Sequence, residues 1–394
     1  MKISIVSAGP GQPGLLTERA RKEIIKADEA FACGRVAGGL ATLRKDWKLC
    51  PVEALAMCAA ESKAKHIAVV MNGEAGFFSG MQQLADSLRS FGEVSVYPGI
   101  SSVQYLCAQI GESYDDAVWR EDGKCDLLAE VSYHHKVFLL LDSKRGVGAV
   151  CTELCTSGLG SLRVVAGSRL ATGKEQIVDT AAQNLRGNAF PMPAVMLLVN
   201  AQATDPLRPV FDEDLLIDET MPTLPQEVRW HAVNLLSVRP NHVVYDLGAG
   251  NGAVSMELAH KVYGGRVYAV ENHAAAVDLI ARNRQALGCW NVRIAHGEGK
   301  AAMEPLPAPD AVFISASAGS LRENLHILKE KNPHVRVVAA ADSLERLSEA
   351  QMAFSTLRFK NVEVSQLLIS RARTLGKYNL MMAGSTMFLI SAGE

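Results

Sequence analysis

The chain has 394 residues, 48% hydrophobic and 21% charged, more than one ordinary core holds and too apolar for a disordered or low-complexity protein, so two domains are expected. Its 40 Lys plus Arg against 42 Asp plus Glu give a formal charge of −2. That lacks the basic excess of a duplex-wrapping protein, and no nucleic-acid partner is expected.

Eight cysteines, at 33, 50, 58, 107, 125, 151, 155 and 289, form no Cys-x-x-Cys pair. They point to a reducing compartment and no metal site, with Cys151 and Cys155 read as small buried hydrophobes. The chain starts directly on a strand pattern at Lys2–Ser7, without the long apolar segment of a signal peptide, which suits a cytoplasmic protein.

Further strands are expected at His66–Met71, 94–97, 136–141, 162–166 and Ala194–Val199, with helices over 15–27, 80–91 and 101–110 between them. The long uncharged stretch 187–204 contains Pro191 and Pro193, and only Ala194–Val199 is apolar, so it reads as a buried strand and not a membrane span. From 200 to 224 the pattern collapses into Asp205-Pro206-Leu207-Arg208-Pro209, the acidic run Asp212-Glu213-Asp214, and Pro222 and Pro225. A linker there divides a first domain, 1–205, from a second, 215–394.

The second half restarts with a helix over 226–237. Strands at 242–247, Arg266–Glu271, Val292–His296, 311–315 and Arg336–Ala341 then alternate with helices, so both halves are α/β and the second is a doubly wound, Rossmann-like domain. Stretches 362–370 and 386–391 are expected to pair as an antiparallel edge around a loop over 371–384.

The strongest motif is Asp246-Leu247-Gly248-Ala249-Gly250-Asn251-Gly252, a strand running through a glycine-rich turn into a helix. Gly248, Gly250 and Gly252 let the backbone approach a ligand, and Glu271, at the end of the next strand, can accept hydrogen bonds from both ribose hydroxyls. The same spacing fits G-x-G-x-x-A, so a dinucleotide remains the alternative ligand. Asp246, which would repel a pyrophosphate but not an ammonium or sulfonium, and Glu298 and Gly299, placed for an adenine, favour S-adenosylmethionine.

The first half carries three turns after strands: Gly9-Pro10-Gly11 with Leu15-Leu16-Thr17, Asn72-Gly73-Glu74-Ala75-Gly76-Phe77-Phe78, and Pro98-Gly99-Ile100-Ser101-Ser102. Such turns can converge on one crevice. In order and content they resemble the tetrapyrrole methylases of the cobalamin pathway, over about residues 1 to 200. Ser7 stands where that family has a glycine, and Glu74 and Ala75 where it has Asp and Pro. The family's His-Gly-Arg segment is missing; His134 and His135 lie in its region and are read as structural or surface residues.

The second half is similar to the decarboxylating methyltransferases partnered with that family, through Glu227-Val228-Arg229, Ser370-Arg371 and Leu375-Gly376. Thr223 is a candidate stand-in for a threonine missing from the first of these elements. The whole chain thus resembles the fused precorrin C-methyltransferase family. The resemblance implies a tetrapyrrole-methylase-like α/β domain of two subdomains before the Rossmann-like one. It further implies methylation of a precorrin or cobalt-precorrin at carbons 5 and 15 with loss of the carbon-12 acetate carboxylate, and a homo-oligomer.

The expected cofactor residues are Pro10, Gly11, Gly73, Glu74, Ser101 and Ser102 in the first half, and Asp246, Gly248, Gly250, Gly252, Glu271, Glu298 and Gly299 in the second. Arg229, Arg322, Arg371 and Arg373 are the candidates for gripping substrate carboxylates, because guanidinium forks bind them bidentately. Rival readings are a chain whose first half only binds or dimerises, and an RNA methyltransferase. The latter should show a basic, aromatic-interleaved surface, which neither half has.

Overall fold

The computed structural model describes residues 1–76, 80–141, 145–205, 216–217 and 224–393. Phe77, Phe78, Thr223 and the acidic run 212–214 lie outside the described residues. Two compact units emerge: residues 1–119, 138–155 and 160–198 form one, and residues 120–137, 156–159 and 199–394 the other.

The first sheet holds β1 (Lys2–Ser7), β2 (Glu29–Ala32), β3 (Trp47–Leu49), β4 (His66–Met71) and β5 (Glu93–Tyr97), in the order β3-β2-β4-β1-β5. Its strands are parallel. Five of the six residues of β1 are buried, as both faces of a parallel sheet must be. Register sets Ser7 opposite Met71 and Val6 opposite Tyr97, so the three glycine-bearing turns leave the sheet at one level. A second sheet takes β6 (Ala117–Glu121), β7 (Lys136–Leu140), β8 (Arg163–Ser168), β9 (Gln176–Ala181) and β10 (Ala194–Val199), in the order β6-β7-β10-β8-β9.

The third sheet is built from β11 (Val243–Leu247), β12 (Arg266–Glu271), β13 (Val292–His296), β14 (Ala311–Ile314), β15 (Arg336–Ala341), β16 (Glu363–Leu367) and, after a hairpin of β17 (Ser370–Leu375) and β18 (Tyr378–Ala383), β19 (Met387–Ala392). Its order is β13-β12-β11-β14-β15-β19-β16, parallel through β15 and antiparallel on both sides of β19. Period-two alternation sends Val244 and Phe313 into one core with Val254, Met256 and Ile280. Tyr245 and Val312 enter the other, with Leu325 and Phe354. Helices therefore cover both faces, as a doubly wound sheet requires.

The stretch expected as a loop over 371–384 is instead the hairpin of β17 and β18, closed at Gly376 (φ +63°) and Lys377. Every residue of both strands is exposed. With no buried face there is no alternation to read, and the two-residue turn alone sets the register. Strands β2, β3, β6 and β9 were not expected either; each is short or only partly buried.

None of the eight cysteines is in a disulfide. Cys151 and Cys155 share the helix Val147–Thr156, where burial pushes the Cys151 thiol up to about 12. His134 pairs with Glu130 at 3.3 Å. Among the described residues there is no cluster of metal-binding side chains, and no helix is long and apolar enough to cross a membrane.

Candidate functional site

In the second unit the chain leaves β11 at Leu247 and turns through Gly248, Gly250 and Gly252, all at positive φ, before the helix Ala253–Lys261. A Cβ on Gly248 would lie 3.1 Å from Cα of Ala318, whereas one on Gly250 would meet nothing within 4 Å. The loop thus packs on the β14 turn at Gly248 and is open at Gly250. A cavity of about 190 Å³ lies over it, lined by Gly248, Gly250, Glu271, Asn272, His273, Gly297, Glu298, Gly299 and Ser317, among others.

Glu271, 6% exposed, organises this cavity. Its Oε2 accepts from the Gly250 N–H at 2.8 Å, and its Oε1 from the N–H groups of Asn272 and His273, both at 2.9 Å. The Gly297 N–H donates to the Glu271 carbonyl at 2.9 Å. A carboxylate oxygen offers about two lone pairs, so Oε1 is filled and Oε2 keeps one for a ligand hydroxyl. In this arrangement three backbone N–H groups already occupy Glu271, which was expected to accept from both ribose hydroxyls. Across the cavity Asn272 Nδ2 donates to Glu298 Oε2 at 2.8 Å, which fixes the carboxylate beside Gly299.

Two expected cofactor residues stand behind the cavity. Gly252 starts the helix. Asp246 is 1% exposed and turns its Oδ2 to the Ser255 hydroxyl at 2.5 Å, leaving Oδ1 without a hydrogen-bond partner. Burial pushes this carboxyl up to about 7 from its ordinary 3.8, aided by the charge of Glu271 and opposed by the Ser255 bond. Asp246, expected on the ligand's ammonium side, is absent from the cavity lining, and only its Oδ2 is engaged.

In the first unit a cavity of about 200 Å³ is lined by Gly9, Pro10, Arg35, Asn72, Gly73, Ser102, Leu140, residues 167–170 and residues 193–195. Gly9 and Gly73 strap the first two turns together, each donating its N–H to the other's carbonyl at 3.0 and 2.9 Å. A Cβ on Gly9, which has φ +55°, would fall 2.7 Å from the Ile100 oxygen. All three turns therefore meet. Of the expected residues, Pro10, Gly73 and Ser102 line the cavity.

Gly11, Glu74 and Ser101 do not. Ser101 caps the helix Ser102–Ile110, accepting from the Gln104 N–H while Gln104 Oε1 accepts from its own. Glu74 Oε2 accepts from the Gly76 N–H at 2.8 Å. The contributions of β8 and β10 to this wall, through residues 167–170 and 193–195, were missed, since nothing in those strand ends is glycine-rich enough to stand out.

The four candidate arginines separate. Arg229 is 1% exposed and donates to the Leu224 carbonyl at 2.7 Å; it ties its own helix to the preceding segment and is closed to a substrate. Arg322 is exposed on the helix Leu321–Lys331 and is not in the lining of the cofactor cavity. Arg371 and Arg373 line a further cavity of about 510 Å³ with Leu224, Gln226, Ile369 and Met382. There Arg371 Nη2 contacts both oxygens of Glu227 at 2.8 Å. The Glu227 backbone N–H and this guanidinium hold the Glu227 carboxyl below its ordinary range.

Comparison with known proteins gives two family matches. Residues 2–186 match the tetrapyrrole (corrin/porphyrin) methylases, and residues 218–391 match the precorrin methyltransferase domain. The chain is 31% identical over 185 residues to the probable cobalt-precorrin-6B C(15)-methyltransferase (decarboxylating) of Methanothermobacter thermautotrophicus, covering 46% of this chain and 95% of that protein. It is 32% identical over 208 residues to the cobalt-precorrin-7 C(5)-methyltransferase of Salmonella typhimurium, covering 50% of this chain and 98% of that protein. To the precorrin-6Y C(5,15)-methyltransferase [decarboxylating] of a Sinorhizobium species it is 25% identical over 323 residues, 79% of this chain and 78% of that one.

Two predictions come from this geometry. Glu271→Ala strips a ligand hydroxyl of its acceptor and orphans three loop N–H groups, so S-adenosylmethionine should bind the second unit about ten- to hundredfold more weakly, read by calorimetry on the full chain. Unchanged affinity would mean that the ribose lies elsewhere. For Asp246, both folded and unfolded chains hold the proton below about pH 4, while between about 4 and 7 only the folded chain does. Its contribution to stability therefore falls as pH rises through that window. Asp246→Asn removes the dependence, so its melting temperature should gain on the parent's from pH 4 to 7, by no more than about 4 kcal/mol equivalent; parallel curves would refute the assignment.

Proposed function

We propose that this chain, which belongs to the tetrapyrrole methylases through its first half and to the precorrin methyltransferases through its second, methylates a precorrin at carbons 5 and 15. In the same reading it removes the carboxylate of the carbon-12 acetate arm, in cobalamin biosynthesis. The observation that carries this is the pair of glycine-walled cavities, one in each unit, each at the C-terminal ends of parallel strands. Both cradles fit S-adenosylmethionine. The second leaves Gly250 open to a close ligand and one Glu271 lone pair for a hydroxyl; the first is walled by three backbone turns.

S-adenosylmethionine supplies an electrophilic methyl group on a sulfonium. The chain's own task is positional: to hold the nucleophilic ring carbon in line with that methyl, with no side-chain nucleophile required. The ring carbon's π pair makes the new carbon–carbon bond as the sulfur–methyl bond breaks, and a ring proton departs to water. In decarboxylation the bond to the carboxylate breaks, its electron pair enters the conjugated ring, carbon dioxide leaves and a proton is taken up at the arm.

We assign carbon 15 and the decarboxylation to the second half and carbon 5 to the first. This division is supported by the existence of half-length relatives named for each activity. Arg373, with Arg371 beside it, is placed to hold the ring's carboxylate arms outside the second cofactor cavity. A precorrin and its cobalt form present the same arms to these groups. Self-association belongs to the same reading, supported by the exposed hairpin with Leu375, Tyr378, Leu380, Met381 and Met382 on open strands, and is measured by sedimentation. Eight cysteines without a disulfide suit a cytoplasmic protein.

The test is incubation of the full chain with precorrin-6Y and labelled S-adenosylmethionine, with the product weighed. Two methyl groups gained and one carboxylate lost are expected, with two S-adenosylmethionine molecules bound per chain. One methyl and one bound molecule would make the first half a binding module. In the same assay Arg373→Ala should raise KM for the ring about tenfold and leave S-adenosylmethionine affinity within twofold, and Arg373→Lys should recover part of the loss, since an ammonium keeps the charge but not the fork. Normal turnover by Arg373→Ala would remove this arginine from the substrate site.

A further inference from the structure

The first-unit cavity has a feature that no glycine motif announces. Its lining includes two arginines, Arg35 and Arg169, and no acidic residue. Both arginines are exposed. Among the described residues neither guanidinium has a hydrogen-bonding or ion-pair partner, in a chain where Arg44, Arg120, Arg145, Arg163, Arg346 and Arg371 are all paired with acids. An unpaired cationic lip on a glycine-walled cavity is complementary to an anion that arrives with the ligand.

Arg169 is also held there at a cost. It follows β8 directly and has φ +50°, in the left-handed region that side chains other than glycine and asparagine seldom adopt. Ala171, two residues on, has φ +61°. The loop to β9 is fastened around this conformation: the Thr172 hydroxyl and N–H donate to the Arg169 carbonyl at 2.6 and 3.2 Å, and the Ala171 N–H donates to Glu175 Oε2 at 2.5 Å. Such a position persists only when its surroundings over-determine it, and glycine would hold the same turn with less strain. Arginine at this place contributes nothing to the loop that glycine would not.

We infer that Arg169, with Arg35 facing the same cavity from the first turn of the helix Gly34–Gly39, grips carboxylate arms of the tetrapyrrole and sets the ring against the first-unit methyl donor. The inference rests on the proposed function, in which the first half transfers the methyl to carbon 5. It adds a second set of substrate-positioning residues, separate from Arg371 and Arg373, for a ring that carries acetate and propionate arms around its rim.

The test separates loop, cofactor and substrate roles. Arg169→Gly keeps the left-handed turn, so its melting temperature should equal or exceed the parent's. It should raise KM for the ring in carbon-5 methylation by ten- to hundredfold, with carbon-15 methylation, decarboxylation and S-adenosylmethionine affinity within twofold of the parent. Arg169→Lys should restore part of the KM, and Arg35→Ala should shift it in the same direction as Arg169→Gly. Unchanged KM in Arg169→Gly overturns the inference, as does a loss confined to S-adenosylmethionine affinity, which would give the guanidinium to the donor's own carboxylate. If the parent chain adds no methyl at carbon 5, the proposed function fails first, and the two failures are told apart by the parent's product mass.

Discussion

One carboxylate organises the second unit's site. Glu271 joins three backbone segments that sequence places far apart: the glycine loop through Gly250, the start of the following helix through Asn272 and His273, and, through its carbonyl, the turn at Gly297. Buried acceptors must be satisfied, and here the satisfaction is supplied by the backbone of the cavity itself. The shape of the cradle therefore depends on one side chain, which in the proposed reading also meets the ligand. The parallel device in the first unit has no side chain at all; Gly9 and Gly73 bind each other through their peptides.

Much of this was legible because burial writes itself into sequence. Strands β1, β4, β10, β12, β13 and β15 sit where their apolar runs end, and the glycine turns after β1, β4 and β11 do face cavities. What escaped was whatever burial does not encode. The hairpin of β17 and β18 has no buried side to alternate against, and β3 and β9 are edge strands with little to hide.

Site residues divide along the same line. Glycines that shape a turn were found, since few other residues fit there. The orientation of a carboxylate is not encoded in that way: Asp246 turns to Ser255 and Glu74 to the Gly76 N–H. Arginines were hardest, because the residue type says nothing about whether it is buried like Arg229, paired like Arg371 or open like Arg169. Arg229 and Arg371 lie in segments that resemble family motifs, whereas Arg169 lies in none and is marked only by its backbone angle.

In the proposed reading, where a carboxylate arm of the ring meets Arg371, the Glu227–Arg371 pair has a bearing on selectivity. An arriving arm that takes Arg371 must displace a carboxylate already in bidentate contact with it, so binding there is an exchange of one ion pair for another and adds little net affinity. A neutral or esterified arm has nothing to offer in that exchange, because it would leave Glu227 in place. Such a latch sorts ligands by charge while holding none of them tightly, and the same Glu227 is on hand to reclaim the guanidinium when a finished ring departs.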